Sequence, residues 1–240
     1  MRIKAIASLA FAISLASAAP ALRSRDALKA PLTNKNLRIL PLGDSITWGY
    51  HSTDENGYRG HLYDRLVSAN NTVDMLGSQH NGDMSDNDNE GHPGWVISQI
   101  AGAAADVSDL DPNVVLLHAG TNDCNNGLYV DTAYARLAQL LDQITTGWPD
   151  AAILVAQIIP AKNETTNAAI DAYNAKIPDV VRQRVDDGKH LFMVNMSSPG
   201  IAVNDLSDGL HPSDEGYIKM ADLWHTGLEG AYALGLLDFD

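Results

Sequence analysis

Leu37-Arg-Ile-Leu-Pro-Leu-Gly-Asp-Ser-Ile-Thr47 decides the architecture. Its first six residues are almost continuously apolar, the mark of a strand buried on both faces, as in a parallel sheet. The run stops at Gly43-Asp44-Ser45, which places Ser45 just past the carboxyl end of the strand. Four more runs of the same character follow at Thr72 to Gly77, Asn113 to Ala119, Ala151 to Ile159 and His190 to Met196. Amphipathic stretches separate them at Tyr58 to Ser68, Trp95 to Ala105, Thr132 to Thr146 and Asn167 to Val185, and a last helix is expected from Ser213 to Ala233. Strand and helix alternating in this way predict a three-layer α/β/α sandwich with a five-stranded parallel sheet and right-handed crossovers, with ligands at the carboxyl ends of the strands.

Outward from that core, residues 1–18 have the pattern of a secretory signal peptide. Met-Arg-Ile-Lys precedes an apolar stretch from Ala5 to Leu15, and Ala16-Ser17-Ala18 supplies an A-x-A-like cleavage site. The apolar stretch is about half of the ~20 residues that a membrane span requires. Residues 19–36 read as a leader of low order and 37–240 as one domain, large enough for a substantial core. Cleavage after Ala18 removes Arg2 and Lys4, moving the net charge from -14 to -16. So acidic a surface argues against nucleic acid and anionic membranes as partners and suits a neutral one; the chain is expected to act as a monomer. Cys124 is the single cysteine, so no internal disulfide forms, and it reads as a small buried hydrophobe. Sequons occur at Asn70, Asn163 and Asn195, the first two in polar surroundings and the third closing an apolar run, where burial would hide it.

Four blocks carry the chemistry. A serine hydroxyl becomes a nucleophile only with a base in hydrogen-bond reach and donors aimed at the developing oxyanion. Ser45 alone is equally well a cap of the next segment. Ser207-Asp208-Gly209-Leu210-His211-Pro212 offers an acid and an imidazole that a turn at Gly209 can pair, although each alone reads as a loop residue. Gly120-Thr121-Asn122-Asp123 follows a strong strand candidate and brings a side-chain amide, and Gly94 stands at a helix start where its N–H can approach a ligand.

Gly-Asp-Ser, then Gly, then Gly-Thr-Asn-Asp, then Asp-x-x-His resembles the SGNH/GDSL hydrolase superfamily, whose fold is flavodoxin-like, and the blocks span residues 43–211. The resemblance implies Ser45 as nucleophile, His211 as base and Asp208 as its orienting acid. It also implies an oxyanion hole formed by the N–H groups of Ser45 and Gly94 and the side chain of Asn122, with no metal or organic cofactor. Ile46-Thr-Trp-Gly-Tyr50, Gly57-Tyr-Arg59, Asp74-Met-Leu-Gly-Ser78, Glu90-Gly-His-Pro-Gly-Trp95 and Asp208-Gly-Leu-His-Pro-Ser-Asp-Glu-Gly-Tyr217 are similar to carbohydrate esterase family three. That similarity implies an acetylxylan esterase acting on an acetylated polysaccharide or oligosaccharide. Asp44, Trp48, Arg59 and Trp95 are candidate substrate contacts; Tyr50 and Tyr58 join Trp48 and Trp95 as rings able to stack on sugars, each with core packing as the alternative. Arg59 reads equally as an ion-pair partner.

Asp83, Asp86, Asp88 and Glu90 partly imitate a calcium loop, but Ile97 stands where the closing glutamate belongs, so a solvated acidic loop is the simpler expectation. Two other functions compete. A lipase, lysophospholipase or short-chain carboxylesterase on the same scaffold would need an apolar acyl groove if its acyl chain is long, and no lid-like insertion is present. A carbohydrate-binding protein without catalysis would have replaced the serine, histidine or aspartate, and all three are present.

Overall fold

The computed structural model describes residues 31–128, 130–197 and 199–237; the signal-peptide reading lies outside them. The elements run β1 (Asn36–Asp44), α1 (Ser45–Trp48), α2 (Tyr58–Ser68), β2 (Thr72–Met75), β3 (Gln79–His80), β4 (Asp88–His92), α3 (Ile97–Asp106), β5 (Val114–His118) and α4 (Thr121–Asn125). They continue with α5 (Val130–Gly147), β6 (Ala152–Gln157), α6 (Glu164–Asn174), α7 (Ile177–Asp186), β7 (Leu191–Asn195), a 3-10 turn at Val203–Asp205 and α8 (Asp214–Ala233).

Side chains alternate along each central strand, and the core divides accordingly. Leu40, Leu42, Val115, Leu117, Ile153 and Val155 face one layer with α3, α5, α6 and α7. Leu37, Ile39, Val114, Leu116, Ala152 and Leu154 face the other with α2 and α8. Both faces are covered, which is why these strands read as continuous apolar runs rather than alternating ones.

All five expected strands form and pair in parallel, β2 and β5 on either side of β1, then β6 and β7. The sheet is larger than the five strands expected. Two short polar strands extend it to the order β3-β4-β1-β5-β6-β7, with β2 also on β1. β2 takes the start of β1 and β4 takes its end on the same edge, at Leu42↔Glu90 through Asp44↔His92; β3 runs antiparallel to β4. The expected helix from Asn167 to Val185 is two helices, because Pro178 opens α7 where its missing N–H costs nothing. The low-order leader ends earlier than Asn36. Leu32 is buried in the α2/α8 layer, and the Asn71 side chain donates to the Leu32 carbonyl at 3.0 Å and accepts from Lys35 N–H at 3.0 Å. Cys124 packs in the core as expected, and burial pushes its thiol up to about 12.

Candidate functional site

Three strand ends lie side by side at the carboxyl edge, and each delivers one block. β1, in the middle, ends at Asp44 and turns at once into α1, whose first residue is Ser45. The turn is tight because a Cβ at Gly43 would stand 2.3 Å from Thr47 Oγ1 and 2.5 Å from the His118 carbonyl. On one side β4 ends opposite Asp44 and leads to Gly94. Gly94 has φ +82 with open space around it, so its backbone conformation and not crowding selects glycine. Among the described residues its N–H donates no hydrogen bond. On the other side β5 runs into α4, which carries Asn122 in its first turn. The Asn122 amide donates to the Trp95 carbonyl at 2.9 Å, joining the two flanks and leaving its second hydrogen for a ligand.

The loop before α8 brings Asp208 and His211 to Ser45. His211 Nε2 stands 2.9 Å from Ser45 Oγ, and His211 Nδ1 stands 2.9 Å from Asp208 Oδ2. Asp208 Oδ1 accepts from the N–H groups of Leu210 and His211 at 2.9 and 2.8 Å, so the carboxylate is fixed in orientation. Partial burial of Asp208 opposes its ionisation, but the His211 N–H, the imidazole and the Leu210 N–H together hold its carboxyl well below the usual range. Ser45 is 7% exposed, enough to be reached from the crevice. A serine, an imidazole and an ionised carboxylate in this sequence of contacts can abstract the hydroxyl proton and store it during acyl transfer.

Two supports had no role in the sequence reading. Asp123, 1% exposed, accepts from Ile97 N–H at 2.9 Å through one oxygen and pairs with Arg136 at 2.8 Å through the other. It thereby fixes the start of α3, which follows Gly94, to the helix that holds Asn122. His51 reaches the Asp208 carboxylate, its Nε2 lying 3.3 Å from Oδ2. Nothing in the local sequence around His51 signals this, since 157 residues separate it from Asp208 and only the fold joins them.

Of the proposed substrate contacts, Asp44 and Arg59 are corrected. Asp44 is fully buried and caps Ile46 N–H at 3.0 Å. Burial raises its carboxyl to about 7. Arg59 is fully buried too: its guanidinium donates to the carbonyls of Thr47, Trp48, Glu55, Asn81 and Asn87 at 3.0–3.1 Å, clamping α1 to the loop before α2 and to the loop between β3 and β4. Tyr58 is core, with its ring near Trp224 and its hydroxyl on Thr47. Trp48 and Trp95 are partly exposed and Tyr50 is exposed. Trp95 stacks on His92 at 4.0 Å, and His92 pairs with buried Glu90 at 2.6 Å.

The acidic loop does not converge on a point. Asp83 accepts from Asn56, Asp86 from Met75 N–H, Asp88 meets His80, and Glu90 accepts from Ser78 and pairs with His92. All three sequon asparagines are exposed, including Asn195.

An α/β/α sandwich with a serine at the first strand end and a histidine–aspartate pair facing it is the layout of a serine hydrolase. The model of the GDSL-like lipase/acylhydrolase family matches residues 42–218, so the chain belongs to that family. A family 3 carbohydrate esterase of Clostridium thermocellum is 34% identical and superposes with a TM-score of 0.75 over 85% of this chain and 100% of that one. A carbohydrate esterase family 3 structure from Talaromyces cellulolyticus is 28% identical, with a TM-score of 0.70 over 80% and 96%. A multidomain esterase of Ruminococcus flavefaciens is 30% identical over 93% of this chain, which spans 32% of that protein. A putative endoglucanase X of Acetivibrio thermocellus is 37% identical over 48% of this chain and 49% of its own length.

Proposed function

We propose that this esterase of the carbohydrate esterase family 3 type is secreted and removes acetyl groups from plant polysaccharide, acetylxylan first among the candidates. The single observation that carries the mechanism is the chain of contacts Ser45 Oγ to His211 Nε2 to Asp208, 2.9 Å at each step. In this reading Ser45 attacks the acetyl carbonyl as His211 takes its proton. The oxyanion is held by the N–H groups of Ser45 and Gly94 and by the Asn122 amide. The sugar hydroxyl leaves with the proton from His211, and water, activated by the same imidazole, releases acetate from acetyl-Ser45.

Several features support a sugar over a lipid. Beside Asp208 lies an open hollow of about 380 Å³ in which Asn125, Lys162 and Asn163 stand beside Ala161 and Leu210, a mixed lining that can meet both the hydroxyls and the carbon faces of a sugar. An apolar cavity of about 230 Å³ sits between the last turns of α3 and α5, at the end of the sheet away from Ser45. The Trp95–His92 stack adjoins the oxyanion glycine and offers an aromatic face. Named relatives point the same way, as a family 3 carbohydrate esterase and a multidomain esterase. Export rests on the basic and apolar pattern of residues 2–18.

The test is acetate release from acetylated xylan measured beside hydrolysis of p-nitrophenyl acetate and p-nitrophenyl palmitate. Release from xylan with at least a hundredfold preference for acetate over palmitate is expected. Preference for the long chain would move the substrate to lipids.

A further inference from the structure

We propose that His51, Asp208 and His211 form a binding site for one borderline divalent transition cation, with Zn²⁺ as the probe, and that occupancy switches the esterase off. Three ligand atoms, one from each residue, lie within 4.8 Å of one another. Asp208 Oδ2 is central, with His211 Nδ1 at 2.9 Å and His51 Nε2 at 3.3 Å. Donors around a tetrahedral zinc with bonds of about 2.0–2.2 Å stand roughly 3.3 Å apart, so a small adjustment seats the ion. Among the described residues no other group of three or more histidine, cysteine or carboxylate side chains has this spacing.

The contacts that orient Asp208 toward His211 also leave it facing His51. Asp208 Oδ1 is tied to two backbone N–H groups, which leaves Oδ2 facing both imidazoles. His51 has φ +70, a left-handed conformation that histidine, like asparagine and aspartate, adopts more readily than other non-glycine residues. The residue before it is pinned on both sides: Tyr50 N–H donates to the Ser45 carbonyl at 2.9 Å, and the Tyr217 hydroxyl donates to the Tyr50 carbonyl at 2.7 Å. The His51 ring then stacks on His211, with centroids 5.4 Å apart and planes 25° from parallel. The His51 and Asp208 side chains are 39% and 37% exposed, so an ion can enter from solvent. Two imidazoles and one carboxylate favour zinc, copper or nickel over calcium and magnesium, which demand mostly oxygen ligands. A net charge of -14 draws cations to the surface generally.

Occupancy stops turnover through the tautomer of His211. In the resting triad the Nδ1–H donates to Asp208 and Nε2 is free to take the serine proton. A cation on Nδ1 needs that nitrogen's lone pair, so the proton moves to Nε2 of the same neutral ring. His51 likewise carries its proton on Nδ1 while Nε2 binds the ion. No proton is gained or lost overall, yet Nε2 now donates toward Ser45 and can no longer act as its base.

Binding and inhibition are separable, which keeps the test independent of the substrate. Titration calorimetry with Zn²⁺ uses the wild-type chain, S45A, H51A and H51G, glycine being suited to the left-handed backbone at this position. One ion per chain is expected in wild type and S45A, with affinity at least tenfold weaker in H51A and H51G, and EDTA reversing it. The inhibition arm rests on the serine-esterase reading: p-nitrophenyl acetate hydrolysis by wild type falls with the same zinc midpoint, and the midpoint shifts at least tenfold higher in H51G. Equal zinc affinity in wild type and H51G, or no saturable binding to S45A, would overturn the proposal. Zinc bound with no loss of turnover would overturn the switch.

Discussion

The side-chain amide of Asn122 donates to the carbonyl of Trp95, 27 residues earlier in the chain, and that bond sets the direction of its second hydrogen. Asn122→Ala removes both hydrogens without touching Ser45 or His211. It is expected to lower kcat about 10²- to 10³-fold, the usual loss for one oxyanion donor, with KM little changed. Steady-state kinetics on p-nitrophenyl acetate checks it; a fall in kcat/KM carried by KM alone would show that Asn122 binds substrate without stabilising the oxyanion.

Asp123 holds the same crevice together from behind. Asp123→Ala leaves Arg136 and the Ile97 N–H without their buried acceptor, so a destabilisation of about 3 kcal/mol is expected from urea unfolding. Arg136→Ala removes the partner that is 22% exposed and should cost less. The reverse ranking of the two variants would mean that the packing of the arginine stem outweighs the cap on α3.

Asp44 gives a pH dependence with a definite sign. Its folded carboxyl is raised to about 7 from 3.8, so between these values the native state holds a proton that the unfolded chain has lost. Stability therefore falls as pH rises from about 4 to 7. His118 works oppositely: burial lowers it to about 4 from 6.5, the unfolded chain binds the extra proton, and stability falls as pH drops through that window. The two slopes offset one another between about pH 4 and 6.5. Asp44→Asn stays neutral, and its oxygen can still cap Ile46 while its NH₂ faces the buried Thr121 hydroxyl. The variant should exceed wild type by roughly 3 kcal/mol at pH 8 and lose that margin by pH 4. A margin independent of pH across urea titrations would contradict the buried-proton account.

The large parts of the fold were legible because each central strand buries both faces and so appears as an uninterrupted apolar run. β3 and β4 were not, since Asp88-Asn-Glu-Gly-His92 has no apolar residue. It is held by its own polar side chains: Asn89 accepts from Gly91 N–H and donates to Asn81, and Glu90 takes two bonds from Ser78. Ser45, Gly94, Asn122, Asp208 and His211 stood out as a pattern of residue types at strand ends and helix starts. Arg59 was misread because a fully buried guanidinium bound only by carbonyls looks, in one dimension, like a surface cation. The role of Asp123 becomes visible only once α3 and α4 are side by side, although its neighbour Asn122 had already marked the place.

Ser45 as the nucleophile is the central claim, and labelling tests it most directly. The purified chain is treated with diethyl p-nitrophenyl phosphate, its mass and residual activity are followed together, and the adduct is located by peptide mapping. One adduct per chain on Ser45 is expected, with activity lost in proportion and neither labelling nor measurable turnover in Ser45→Ala. An adduct on another residue that accounts for the loss, or full turnover in Ser45→Ala, would contradict it.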